Sequence, residues 1–334
     1  MSDNSTFHLT KRKRVELGEY GKEGMGAEGV KRSHALWFDD GSVILQAQKT
    51  QFRVHRSVLD NHSKVFQDMF TVPQPEVTVI VEGLPLVHVI DEAADWENVL
   101  GIIYFGLKMH GDYSVGSLIS MMRLGHKYQF DDIKSAAVRR LIKEFPGTFA
   151  DWTNESVSDP HHVIKEGEEY FSKGYEIDLI NIALEVQCQP ILPVLYYIFL
   201  RDRPLSEIFD GTMRKDRTLA TLSQESQRTL ILGRDNILRG ISTHPLKWLR
   251  GNISDDCENC YGQRKRILQD IVNRLHHDVS LALQDAPPPL IVELCEDCLE
   301  LAEAEMARGR RLLWNELPSY FDLPAWDVLA NFDN

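Results

Sequence analysis

The chain has 334 residues, 43% of them hydrophobic and 26% charged, with a formal net charge of −13. Length and composition point to about two globular units with enough apolar material for sizeable cores. The acidic balance works against duplex binding, which needs clustered Lys and Arg on phosphate, and against adhesion to an anionic membrane surface.

Residues 1–33 mix Lys, Arg and Glu with Gly18, Gly21, Gly24, Gly26 and Gly29, and show neither helical nor strand periodicity. They predict a disordered, charged tail. Gly24-Met25-Gly26-Ala27-Glu28-Gly29 matches G-x-G-x-x-G, but no buried strand precedes it, so it reads as flexible sequence rather than a dinucleotide loop. Lys11-Arg12-Lys13-Arg14 is a basic run that fits a solvated tail or a nuclear import signal. Met1–Thr10 has no apolar segment of a secretory leader. The longest apolar run, Ile191–Leu200, contains Pro193 and falls short of the ~20 residues that cross a bilayer. The expectation is a cytoplasmic or nuclear protein, or one found in both places, with no membrane partner.

Ordered structure is expected from about His34. Asp39-Asp40-Gly41-Ser42 between Trp37-Phe38 and Val43-Ile44-Leu45 predicts a hairpin turn. Phe52-Arg53-Val54-His55 alternates as a strand. From Ser57 to Phe70 the apolar residues Val58, Leu59, Val65, Phe66, Met69 and Phe70 recur near helical spacing. Val77–Val81 reads equally as a strand or an extended loop, and Leu86–Ile90 as a strand. Three helices follow. Asp95 caps the first, over Trp96, Val99, Leu100, Ile103 and Tyr104. Ser114 caps the second, over Val115, Leu118, Ile119 and Met122. Asp131 or Asp132 caps the third, over Ile133, Ala137, Leu141 and Phe145, and Pro146-Gly147 stops it. Beyond lie apolar helical segments at Ile177–Val186 and Ile191–Arg201, split by Pro190, and helices from about Tyr261 to His276 and Cys298 to Trp314. A stiff Pro287-Pro288-Pro289 link separates the last two.

Strands, a helical pair, another strand and a helical run follow the order of a BTB/POZ domain. Phe52-Arg53-Val54-His55-Arg56-Ser57-Val58-Leu59, with Ser63, Val65-Phe66 and Met69-Phe70, resembles the most diagnostic stretch of that family. Asp95-Trp96-Glu97-Asn98-Val99-Leu100 with Tyr104 resembles its next helix. Ile191-Leu192-Pro193 with Tyr196-Tyr197, Leu222-Ser223 with Gly233-Arg234, and Trp314-Asn315-Glu316-Leu317-Pro318 with Phe321 and Trp326 resemble fungal BTB proteins in particular. The resemblance implies an α+β BTB/POZ domain at 34–146, a mostly α-helical region at 147–334, and binding rather than catalysis. It implies protein partners: a second copy in a homodimer, or a cullin-type ubiquitin-ligase scaffold for which the chain is an adaptor. A nuclear transcriptional regulator and an enzyme with an unrecognised site are the other two readings.

No Walker A loop, G-x-S-x-G elbow or H-E-x-x-H helix occurs. The adjacent pairs His161-His162 and His276-His277 read as surface residues, since helix neighbours do not share a face. His55 reads as structural, hydrogen-bonded where strand becomes helix. The five cysteines are Cys188, Cys257, Cys260, Cys295 and Cys298. In a reducing compartment they are thiols or metal ligands. Cys257-Glu258-Asn259-Cys260 and Cys295-Glu296-Asp297-Cys298 are two C-x-x-C pairs, and four thiolates complete a tetrahedral shell for one structural Zn²⁺. Each pair precedes a helix, whose free amides favour thiolate charge. The interval from Cys260 to Cys295 is longer than in common zinc ribbons, so small buried core thiols are the competing reading.

Overall fold

A computed structural model describes residues 29–72, 79–106, 114–154, 174–214, 216–249, 257–275, 279–284, 291 and 293–330. The tail to residue 28 with its basic run and its glycines before Gly29, both His pairs and Pro287–Pro289 lie outside the described residues.

The first strand, β1 (Lys31–Trp37), starts three residues ahead of the expected boundary at His34. With β2 (Val43–Ala47), β3 (Thr50–Val54), β4 (Ile80–Val81) and β5 (Leu84–Val89) it makes a mixed five-stranded sheet in the order β1-β3-β2-β5-β4. The hairpin expected across Asp39–Ser42 does not form. β3 lies between its two arms, parallel to β1 and antiparallel to β2. The connection from Phe38 to Ser42 instead folds over β3: the Phe38 amide donates to the Arg53 carbonyl at 3.0 Å and the Ser42 amide to the Val54 carbonyl at 2.9 Å. Gly41 is there for space rather than for a positive φ, since a Cβ would sit 2.8 Å from Arg53 Cγ. The working hairpin joins β2 to β3 through Gln48-Lys49, with Gln48 at φ 52°. It lacks the Asn or Gly that marks such turns in a sequence.

The Ser57–Phe70 stretch forms the expected helical pair, α1 (Arg56–His62) and α2 (Lys64–Thr71), divided at Ser63, whose hydroxyl accepts the Phe66 amide at 3.1 Å. Of the expected Val77–Val81 segment only Ile80-Val81 is strand, while 77–78 lie outside the described residues. Three helices complete this part: α3 (Ala93–Phe105), α4 (Val115–Tyr128) and α5 (Asp131–Glu144). Ser114 caps α4 as expected, accepting the Ser117 amide at 3.0 Å. The other two caps differ. Glu92 and Phe130 hold the cap positions of α3 and α5, and neither side chain makes a capping bond. Asp95 lies within α3, where its carboxylate accepts from Ser120 Oγ and from Arg123 Nη1, each at 2.7 Å. Asp131 and Asp132 occupy the first turn of α5, where negative charge suits the helix dipole.

The architecture is α+β: this sheet and its helices, then a mostly helical region. The second region comprises α6 (Phe149–Thr153), α7 (Tyr175–Glu185), α8 (Leu192–Asp202), α9 (Ser206–Asp210), a short pair β6 (Thr212–Met213) and β7 (Leu219–Ala220), α10 (Gln224–Thr243), α11 (Glu258–Leu275), α12 (Glu296–Tyr320) and α13 (Trp326–Ala330). α8 is buried on every side from Leu192 to Leu200, the mark of a central helix. Pro190 sits in a 3₁₀ turn, Gln189–Ile191, between α7 and α8.

α10 falls in the region expected to be mostly helical, at the Leu222-Ser223 and Gly233-Arg234 stretch, although its bounds are not among the expected elements. Gly233 and Gly240 lie within it, and both are used for close approach. A Cβ at Gly233 would lie 2.2 Å from the Phe321 ring, and one at Gly240 would lie 2.4 Å from Tyr320 Oη. Gly233→Ala should therefore cost about 1–3 kcal/mol by overpacking, seen as a lower urea midpoint. An unchanged midpoint would contradict this packing.

The apolar core runs without a break from Leu36 to Phe321. α4 packs against α7, and α5 against the 3₁₀ turn. Arg123 of α4 spans the junction, 2.7 Å from Asp95 and 4.0 Å from Glu185 of α7. Within the helical region, Trp314 stacks on Trp326 at 5.2 Å and lies 5.6 Å from Trp152.

Candidate metal centre and interaction domain

The four cysteines of the two C-x-x-C pairs come together. Cys257 lies just ahead of α11 and Cys260 in its first turn; Cys295 is the cap residue of α12 and Cys298 lies in its first turn. The four Sγ atoms are all within 4.8 Å of one another. Cys257 Sγ and Cys295 Sγ are 3.6 Å apart, and the Cys295 amide donates to Cys260 Sγ at 3.2 Å. A tetrahedral zinc with Zn–S bonds of ~2.3 Å sets its sulfurs ~3.8 Å apart, so the cluster is close to the size such an ion requires. Cys260 and Cys298 are buried, Cys257 is half-buried and Cys295 is exposed. Core packing alone does not account for an exposed cysteine turned toward three others. The fifth, Cys188, is fully buried elsewhere in the core.

The helix start shapes the acidity of these thiols. The Cys298 amide first, then the thiols of Cys260, Cys298 and Cys257, bring the Cys295 thiol down to about 7. Burial, followed by the neighbouring thiols, pushes Cys298 well above the ordinary range. At Cys260 the Cys295 amide works to lower the pKa, but burial and the thiols of Cys257 and Cys295 together raise it.

In the first domain, His55 is the cap residue at the start of α1, where strand gives way to helix. Its amide donates to Tyr104 Oη at 2.8 Å, its Nδ1 lies 3.1 Å from the same oxygen, and its Nε2 is 3.1 Å from Asp40. Phe38 stacks on Tyr104 beside it, at 4.5 Å. These contacts fix the geometry of the turn, the structural role expected of His55. Beneath it, Phe52, Val54, Leu59, Phe66, Val99 and Leu118 converge fully buried, with Phe70 and Ile103 partly buried against them.

The family model of the BTB/POZ domain matches residues 38–144. The chain contains a BTB/POZ domain. No curated protein matches the chain. The matched stretch begins at Phe38, after β1, and ends with the last residue of α5, so the Phe52–Phe70 segment, the Asp95–Tyr104 helix and the His55–Tyr104 contact all belong to the BTB/POZ domain. Such domains are protein-interaction modules, which supports a protein–protein interaction role here. The BTB/POZ surface exposes Val72, Val79, Ile80 and Phe105, and Ile90 is 89% exposed. No helix among the described residues is long and apolar enough to cross a membrane.

One group in this domain carries no mark in the sequence. Glu144, the last residue of α5, is only 9% exposed, and its Oε2 has no hydrogen-bond partner among the described residues. Burial raises its pKa to about 7 against a weaker opposing pull from Arg140. In the sequence it looks like an ordinary charged helix end between Leu141 and Phe145.

Proposed function

We propose that this chain is a non-catalytic protein-interaction protein that binds through its BTB/POZ domain. The family match over 38–144 carries the reading. Ile90, 89% exposed on the domain, is an apolar side chain available to a protein contact. In this reading a tail precedes β1, the interaction domain extends to residue 146, and 147–334 form a helical region of the kind found in fungal BTB proteins. The first partner is a second copy of the chain, since closed two-fold pairing is the commonest outcome for a self-complementary face. Light scattering at tens of micromolar should report twice the chain mass; the mass of one chain would remove the homodimer. The second partner is a cullin-type scaffold, with the chain acting as its adaptor. Affinity purification from the source cells should recover that scaffold. Recovery of chromatin-bound regulators in its place would favour a nuclear role.

In the same reading the helical region holds one structural Zn²⁺ on Cys257, Cys260, Cys295 and Cys298. The convergence of four sulfurs at the starts of α11 and α12 supports it. Such an ion supplies a fixed link between two segments far apart in sequence, and its binding energy becomes folding energy. The purified protein should carry one zinc per chain by elemental analysis. Cys257→Ser should release it and lower the melting temperature. Metal analysis that finds none would remove the zinc centre.

A further inference from the structure

We propose that peroxide acts on the outer edge of the four-cysteine site, joining Cys257 to Cys295 as a disulfide and expelling the metal while α11 and α12 stay tied together. This rests on the zinc reading of the same site. The site has an inside and an outside. Cys260 and Cys298 are buried, whereas Cys295 is exposed and Cys257 half-buried. An oxidant arriving from solvent therefore meets one sulfur from each C-x-x-C pair, and these two belong to different segments of the chain. They are also 3.6 Å apart, so forming an S–S bond of ~2.05 Å needs only a small closing movement. Cys295 is placed to react first. It is the more exposed of the two outer sulfurs, so an oxidant from solvent reaches it before Cys257.

The chemistry balances with hydrogen peroxide as the oxidant. The Cys295 thiolate attacks one peroxide oxygen and the O–O bond breaks. The departing hydroxide takes a proton from solvent and leaves as water, with a sulfenic acid on Cys295. The Cys257 thiolate then attacks Cys295 Sγ, the S–S bond forms as the S–O bond breaks, and the departing hydroxide takes a proton from solvent and leaves as a second water. Two electrons pass from the two sulfurs to peroxide. Zinc does not change oxidation state; it is left with two of its four ligands and dissociates. The product differs from a metal-stripped protein in one respect: the disulfide joins the same two helix starts that the ion had joined. Oxidation therefore exchanges a metal link for a covalent one.

The test uses the full chain, purified under reducing conditions and assayed for zinc before any oxidant is added. Hydrogen peroxide is then titrated in with a colorimetric zinc chelator present, and the products are mapped by peptide mass spectrometry without reduction. Loss of the one bound zinc should accompany a Cys257–Cys295 disulfide. The oxidised protein should keep most of the melting temperature that EDTA removes from the reduced protein, and dithiothreitol with added zinc should restore the starting state. A chain that holds no zinc at the outset fails the zinc reading itself. A zinc-loaded chain overturns this inference alone in any of three ways: it keeps its metal at excess peroxide, it oxidises within Cys257–Cys260 or Cys295–Cys298, or it melts after oxidation like the EDTA-treated protein.

Discussion

Replacing Phe66 with alanine is expected to cost about 3–5 kcal/mol of folding stability, the range for deleting a buried aromatic side chain. The Phe66 ring is 1% exposed and sits among Phe70, Trp96, Tyr128 and Phe130, with ring centres 5.5–6.1 Å away. Three of those four neighbours come from other elements: α3, the end of α4, and the cap of α5. The void left by alanine would thus open where the helical body meets itself, and rigid helices on several sides cannot all move in to fill it. Urea denaturation followed by circular dichroism should show the loss as a lower midpoint. A cost under about 1 kcal/mol would mean the site collapses around alanine and is not tightly packed.

The second large effect is a pH dependence set by Glu144. Burial raises its pKa from 4.5 to about 7, so the folded chain holds this proton more tightly than the unfolded chain does. Between those two values the native state binds more protons, and stability falls as pH rises. Below pH 4.5 the carboxyl is neutral in both states and contributes no penalty. Above about pH 7 the full cost of a buried charge is present, on the order of 3 kcal/mol for a shift of this width. Glu144→Gln keeps the shape and removes the charge. Its stability should match the parent near pH 4 and exceed it increasingly up to pH 8, by up to about 3 kcal/mol. Two stability curves that run parallel from pH 4 to pH 8 would refute the assignment.

Much of the first domain is legible in the sequence because local signals and burial agree there. The stripe Ile133, Ala137, Leu141 and Phe145 is buried along its length, and Ser114 caps the helix it precedes. Where the reading goes astray, a tertiary contact has overridden a local signal. Asp95 has the chemistry of a cap, but Ser120 and Arg123 draw its carboxylate into the α3–α4 interface. Asp39–Ser42 has the composition of a hairpin turn, but β3 takes the position between its arms. The packing role of Gly233 and Gly240 is not legible locally, because the aromatic rings that need their missing side chains, Phe321 and Tyr320, lie far downstream in the chain. The cysteine pairs show the opposite limit. Their spacing states what each pair can bind, yet only the fold brings Cys260 and Cys295 into contact across so long an interval. Glu144 is silent in the sequence because a carboxylate in the last turn of a helix has the same local pattern whether it is exposed or buried.

The unbroken core has a consequence for modularity. The family match stops at residue 144, whereas the packing does not: α4 leans on α7 and α5 on the Gln189–Ile191 turn. Cutting the chain at the edge of the matched region would open those helix faces to water and leave Arg123 without Glu185. This BTB/POZ domain is therefore one side of a joint whose other side is the helical region, and a fragment ending at residue 144 is expected to melt at a lower temperature than the full chain.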